Sequence, residues 1–91
     1  MNKEFLKEYG MLSAVKRMVE LGENSNVTEI HAELNKAYAS LLPKKIEKKL
    51  YDELNRAFSE LGIYVNKGNL IKNSDKIEIK IDYIISLLEK A

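Results

Sequence analysis

The densest chemistry in the sequence lies between Pro43 and Phe58, where Lys44, Lys45, Lys48, Lys49 and Arg56 stand against Glu47, Asp52 and Glu53. That stretch nets +2 in a chain whose formal net charge is +1, so all of the excess positive charge sits there. At 100° per residue, the face opposite the apolar stripe Ile46, Leu50, Leu54, Ala57, Phe58 and Leu61 collects Lys45, Lys48, Lys49, Asp52, Asn55 and Arg56. Ammonium and guanidinium groups on such a face suit phosphates, an amide suits a base edge, and a helix N-terminus itself favours an anion. Tyr51 borders the face and is of a type to touch a phosphate or a thymine methyl. A solvated Lys/Glu surface is the bland use of the same residues.

Other chemistries are thinly represented. There is no cysteine, which removes disulfides, thiolate nucleophiles and the common zinc sets, and there is one histidine. His31 lies about one position off an apolar stripe with only Glu29 and Glu33 nearby, so it reads as a helix-surface or core-edge residue and no metal site is expected. No Ser/His/Asp set, glycine-rich phosphate loop or carboxylate pair stands out, and a core of this size has little capacity to pre-organise one. The expectation is a non-enzyme without cofactor. The start of the chain has no apolar h-region, so a cytoplasmic setting without a membrane span is expected.

The elements that must position these residues are mostly helical. Ninety-one residues, 45% hydrophobic and 32% charged, suit one globular domain over 1–91. A first helix is expected over 3–21, with Phe5, Tyr9, Leu12 and Val19 on one stripe and Gly22 as its C-cap; Gly10 inside it could break off a short first turn. Glu23 to Asn26 reads as a polar turn. A second helix follows over 27–40, with Asn26 and Glu29 spaced as a capping box and Ile30, Leu34, Ala37 and Leu41 inward. The third is expected over 43–61, started by Pro43 and closed at Gly62, with Ile63 making the hydrophobic contact of a Schellman cap.

Beyond Gly62 two readings compete. The run Ile63-Tyr64-Val65 and the alternation Ile77-Glu78-Ile79-Lys80-Ile81 suit a β-wing over 63–81 followed by a helix over 82–90. The set Ile77, Ile81, Ile84, Ile85 and Leu88 also satisfies a helical stripe, which would make one long C-terminal helix from Asp75. The C-terminal segment with Ile81, Ile84, Ile85, Leu87 and Leu88 is apolar on more than one side, more than a single packed face requires, which suggests a homodimer with Ile81, Ile84, Ile85 and Leu88 at its interface.

The order Glu29-Ile30 to Leu34, then Tyr51 to Leu54, then Leu61-Gly62-Ile63 resembles winged helix-turn-helix regulators over about residues 11–81. That resemblance implies a mostly α winged-helix fold and a transcriptional regulator bound to duplex DNA. The exposed residues of the third helix would lie in the major groove: Lys44, Lys45, Lys48 and Lys49 mainly on phosphates, Asn55 and Arg56 toward base edges. Lys72, Asn73 and Lys76 at the wing tip would touch the backbone. Four helices in about ninety residues with a Pro-initiated third helix are also similar to bacteriocin immunity proteins, which are antiparallel four-helix bundles. This second resemblance implies a host or receptor protein as partner, as does the related reading of a phage-encoded inhibitor. Segment 63–81 separates the two: wing for one, loop and helix for the other.

Overall fold

In a computed structural model, residues 2–22, 26–66 and 68–91 are described; residues 23–25 of the turn expected over Glu23 to Asn26, and residue 67, lie outside them. A 3-10 turn, Lys3–Phe5, leads into α1 (Leu6–Leu21), then α2 (Val27–Leu41), α3 (Lys48–Tyr64) and α4 (Ser74–Lys90). No strand occurs among the described residues.

The pairing of elements follows from their cross-helix bonds. Ser40, late in α2, reaches Glu8, early in α1; His31, early in α2, reaches Val65 beyond the end of α3. Lys16 of α1 bridges Asp82 of α4 at 3.0 Å, and Lys80 of α4 bridges Glu60 of α3 at 2.8 Å. Each helix therefore runs antiparallel to its chain neighbour, and α4 closes back on α1, giving an antiparallel four-helix bundle 36 × 20 × 19 Å. Asn2 ties the ends together: its Oδ1 accepts from the Glu4 amide at 3.1 Å while its Nδ2 donates to the Ala91 carbonyl at 2.8 Å.

The buried face of each helix repeats at three- and four-residue spacing. Phe5, Tyr9, Leu12, Val15 and Val19 meet Ile30, Leu34, Ala37 and Leu41, and both sets meet Leu54, Ala57, Phe58 and Leu61 and the α4 stripe Ile77, Ile81, Ile84 and Leu88. Gly22 ends α1 as the sequence predicts. Its φ is +67°, where a side chain would be strained, and its amide donates to the Val19 carbonyl at 2.9 Å. Gly10 does not break α1; the 3-10 turn gives way to the α-helix at Leu6, before it.

Four expectations need correction. First, the alternation over 77–81 is helical: a strand would place Ile77, Ile79 and Ile81 on one face, whereas Ile77 and Ile81 are fully buried and Ile79 is 69% exposed. The apolar stripe of α4 outweighs the local β-propensity of its isoleucines, and the wing is replaced by turns over 68–73 and by the helix. Second, α3 passes through Gly62 to Tyr64, Ile63 is 71% exposed, and the core takes Val65 instead, whose amide still donates to the Leu61 carbonyl at 3.0 Å. Third, α3 starts at Lys48 rather than Pro43, because Glu47 is extended (ψ 137°) and Lys44 is held against α1. Fourth, Asn26 makes no side-chain cap: its ψ of −4° is already helical rather than extended, so its carboxamide does not reach the free amides.

Candidate functional site

The basic set read from the sequence divides into separate environments. Lys44 is turned inward. Its ammonium donates to the Glu4 carbonyl and to Glu8 Oε1 at 3.1 Å, and lies 4.9 Å from the centre of the Phe5 ring. Glu8 is the one fully buried acid among the described residues, and Ser40 donates to its second oxygen. Burial pushes the Glu8 carboxyl up, but the hydrogen bonds from Ser40 and Lys44 outweigh it and hold the group below the ordinary carboxylate range. Lys44 thus ties the start of α1 to the α2–α3 connection, whereas the sequence pattern places it on phosphates.

Lys45, just before α3, and Lys48 and Lys49 in its first turn are exposed, with Lys48 Nζ 3.7 Å from Asp52 Oδ2. Arg56 is exposed on the α4 side of the helix. There, with Glu53, Ala57, Glu60, Ile79, Lys80 and Tyr83, it lines a groove of about 350 Å³. Ile79 and Tyr83, one turn apart on α4, form an exposed apolar ridge beside it. Lys80 donates to Glu60, and that hydrogen bond raises the ammonium pKa above its ordinary value.

Asn55 and Tyr51 face α2 instead. Tyr38 donates its hydroxyl proton to Asn55 Oδ1 at 2.8 Å, and the Tyr51 hydroxyl lies 3.2 Å from that of Tyr38. This bond with Tyr38 pushes the Tyr51 hydroxyl pKa up. The Tyr38 ring also meets Phe58 edge-on at 5.5 Å, so aromatic side chains fill the lower part of the α2–α3 seam. Above them lies a second groove of about 290 Å³, with His31, Asn35 and Tyr38 on the α2 wall and Asn55, Ser59 and Gly62 on the α3 wall.

The expected wing-tip residues are dispersed. Asn73 donates to the Tyr64 carbonyl at 3.0 Å and so satisfies an end of α3. Lys76 lies over the Tyr64 ring at 5.9 Å, and Lys72 is exposed. The expected dimer contact is also corrected: Ile81, Ile84 and Leu88 are fully buried inside one chain and Ile85 packs half-buried against them, because α4 is covered by α1 and α3 together.

Two features escaped the sequence reading although signals for them exist. Glu8 stands at an inward position of the stripe Phe5, Glu8, Leu12, Val15, Val19, which marks a carboxylate in need of a partner. Positions 31, 35 and 38 and positions 55, 59 and 62 share one spacing, so each trio lines up along its helix. No helix among the described residues is long and apolar enough to cross a membrane. Comparison with protein-family models, with curated proteins and with solved structures gives no match.

Proposed function

We propose that the protein is a small, non-catalytic helical module that acts by binding another protein through the α3–α4 face. The observation that carries this reading is the exposed pair Ile79 and Tyr83 beside the Arg56-lined groove. Tyrosine and arginine are residue types on which interface energy concentrates, and Ile79 adds exposed apolar area beside them. Acid and base alternate around the groove, with Glu53 and Glu60 against Arg56 and Lys80, so the fitting partner segment is an amphipathic one with an apolar anchor and a mixed-charge flank. Such a role agrees with the likeness to bacteriocin immunity proteins and with an inhibitor of a host protein. A four-helix bundle without a wing lends it further support.

Duplex DNA remains the second reading, favoured by one observation: Lys45, Lys48 and Lys49 are exposed together where α3 begins. If all three meet phosphates, binding weakens with salt at a log–log slope of roughly −0.9 per contact. One paired selection separates the readings. The protein is offered a displayed peptide library and a random duplex-DNA pool at near-physiological salt, with Ile79→Ser/Tyr83→Ser and Lys45→Glu/Lys48→Glu as variants. A peptide motif lost only in the first variant supports protein binding. A DNA motif lost only in the second overturns it in favour of the regulator.

A further inference from the structure

The groove between α2 and α3 has walls of a different kind from the α3–α4 face. None of its lining side chains is a carboxylate, an ammonium or a guanidinium: the α2 wall offers an imidazole, a carboxamide and a phenol, and the α3 wall a carboxamide, a hydroxyl and the bare backbone of Gly62. The floor is apolar, formed by Leu34 and Phe58. From His31 to Tyr38 the α2 wall rises through seven residue steps, about 10 Å at about 1.5 Å each. An ion would find no carboxylate, ammonium or guanidinium there, whereas an uncharged ligand with an apolar body and a polar edge would be matched by the floor and both walls.

The hydrogen bonds already made define what is left to offer. The Val65 carbonyl can only accept, so His31 donates to it from Nε2 at 2.6 Å, and in the neutral ring Nδ1 is left as an acceptor. Asn55 takes the Tyr38 proton on Oδ1, which leaves both protons of its Nδ2 free, while Ser59 donates to the Asn55 carbonyl at 3.0 Å and keeps Oγ as an acceptor. Asn35 is exposed, and its carboxamide can present a donor and an acceptor side by side. The Tyr51, Tyr38, Asn55 chain at one end and the His31 to Val65 bond at the other hold these groups in place.

Gly62 supplies the room. It is helical, and a Cβ built on it meets nothing within 4 Å, so the groove is open where a side chain would stand. A planar heterocycle entering edge-first beside Gly62 would lie over Leu34 and Phe58, with its rim facing the free groups. A carboxamide is the side chain that pairs bidentately with the donor–acceptor edge of a base.

We infer that the α2–α3 groove is a binding site for an uncharged nucleobase or nucleoside, held by Asn35, Asn55 and the Nδ1 atom of His31. This site is independent of the α3–α4 face and does not rest on its role. The test is a titration of the full-length ¹⁵N-labelled protein with adenosine, guanosine, cytidine and uridine, with glucose as a non-aromatic, hydrogen-bonding comparison. The expected result is saturable shifts confined to residues 31–38 and 55–62, with at least one nucleoside preferred over glucose tenfold or more. Gly62→Leu fills the groove from a helical position and should weaken binding at least tenfold with no loss of thermal midpoint. Asn35→Leu, at an exposed position, should give a similar loss and covers the case in which Gly62→Leu does not fold. Ile79→Ser should leave the affinity unchanged. No saturable shift in the groove for any nucleoside, equal binding of glucose, or full affinity in folded Gly62→Leu or in Asn35→Leu overturns the assignment.

Discussion

Replacing Lys44 by methionine removes the cation that holds Glu8 and leaves a fully buried carboxylate with Ser40 as its remaining side-chain donor. Breaking one side of a buried pair costs about 3–5 kcal/mol, against a whole-domain stability of about 5–15 kcal/mol. The upper part of that range applies to Glu8, which has no exposed surface, and the lower part to Lys44, whose side chain is 29% exposed and can turn to water. Lys44→Met should therefore cost more than Glu8→Gln, which keeps the shape and a hydrogen bond to Ser40. The double variant Glu8→Leu/Lys44→Met removes both charges and should recover most of the loss, because an apolar pair of similar volume is often neutral or better. Urea unfolding at pH 7 with a constant slope reads all three. The pH dependence has a fixed sign. The folded carboxyl titrates below the unfolded one, so the stabilisation is fully present above the unfolded pKa and is lost as pH falls through the folded value. The advantage of the wild type over Glu8→Gln should accordingly shrink on acidification below the ordinary carboxyl range. A loss under about 1 kcal/mol for Lys44→Met at pH 7, set against a scale of 3–5, would refute the buried pair.

Three further outcomes follow from the packing. Leu54→Ala opens a cavity in the middle of α3 and should cost about 2–5 kcal/mol in chemical denaturation. Gly10→Ala should raise the thermal midpoint, by the equivalent of about 1 kcal/mol, since Gly10 lies in a helix interior where an added Cβ meets nothing within 4 Å. Backbone chemical shifts should be helical without interruption over 74–90; extended shifts at 77–81 would restore the wing.

Much of the fold is legible in the sequence because helical periodicity is a local property. The stripes of the first two helices, the αL cap at Gly22 and the inward set Leu54, Ala57, Phe58, Leu61 need no knowledge of the rest of the chain. The errors fall where a distant partner decides. Pro43 favours a helix start, yet Glu8, more than thirty residues away, draws Lys44 inward and delays the helix to Lys48. Ile63 follows Gly62 as a cap contact should, yet the bundle end takes Val65, and Asn66 and Asn73 satisfy the last carbonyls with their side chains. The isoleucines of 77–81 alternate as a strand does, and only the continuation through Ile84 and Leu88 shows which period the core selects.

The candidate site was legible as a list of residues and not as an arrangement. Successive residues on a helix point about 100° apart, so Asn55 and Arg56, neighbours in sequence, serve different seams. Asn55 belongs to the neutral groove with Tyr38 and His31, and Arg56 to the charged groove with Ile79 and Tyr83. The lysines before them belong to neither: Lys45, Lys48 and Lys49 stand at the opposite end of α3 from Gly62, and Lys44 is held against Glu8. A single exposed recognition face would make substitutions at 55 and 56 act on the same ligand. With two seams they act on different ones, so Asn55→Leu should reduce nucleoside binding without altering a peptide interaction, and Arg56→Ala should do the reverse. Parallel loss of both activities in either variant would mean that α3 presents one surface after all.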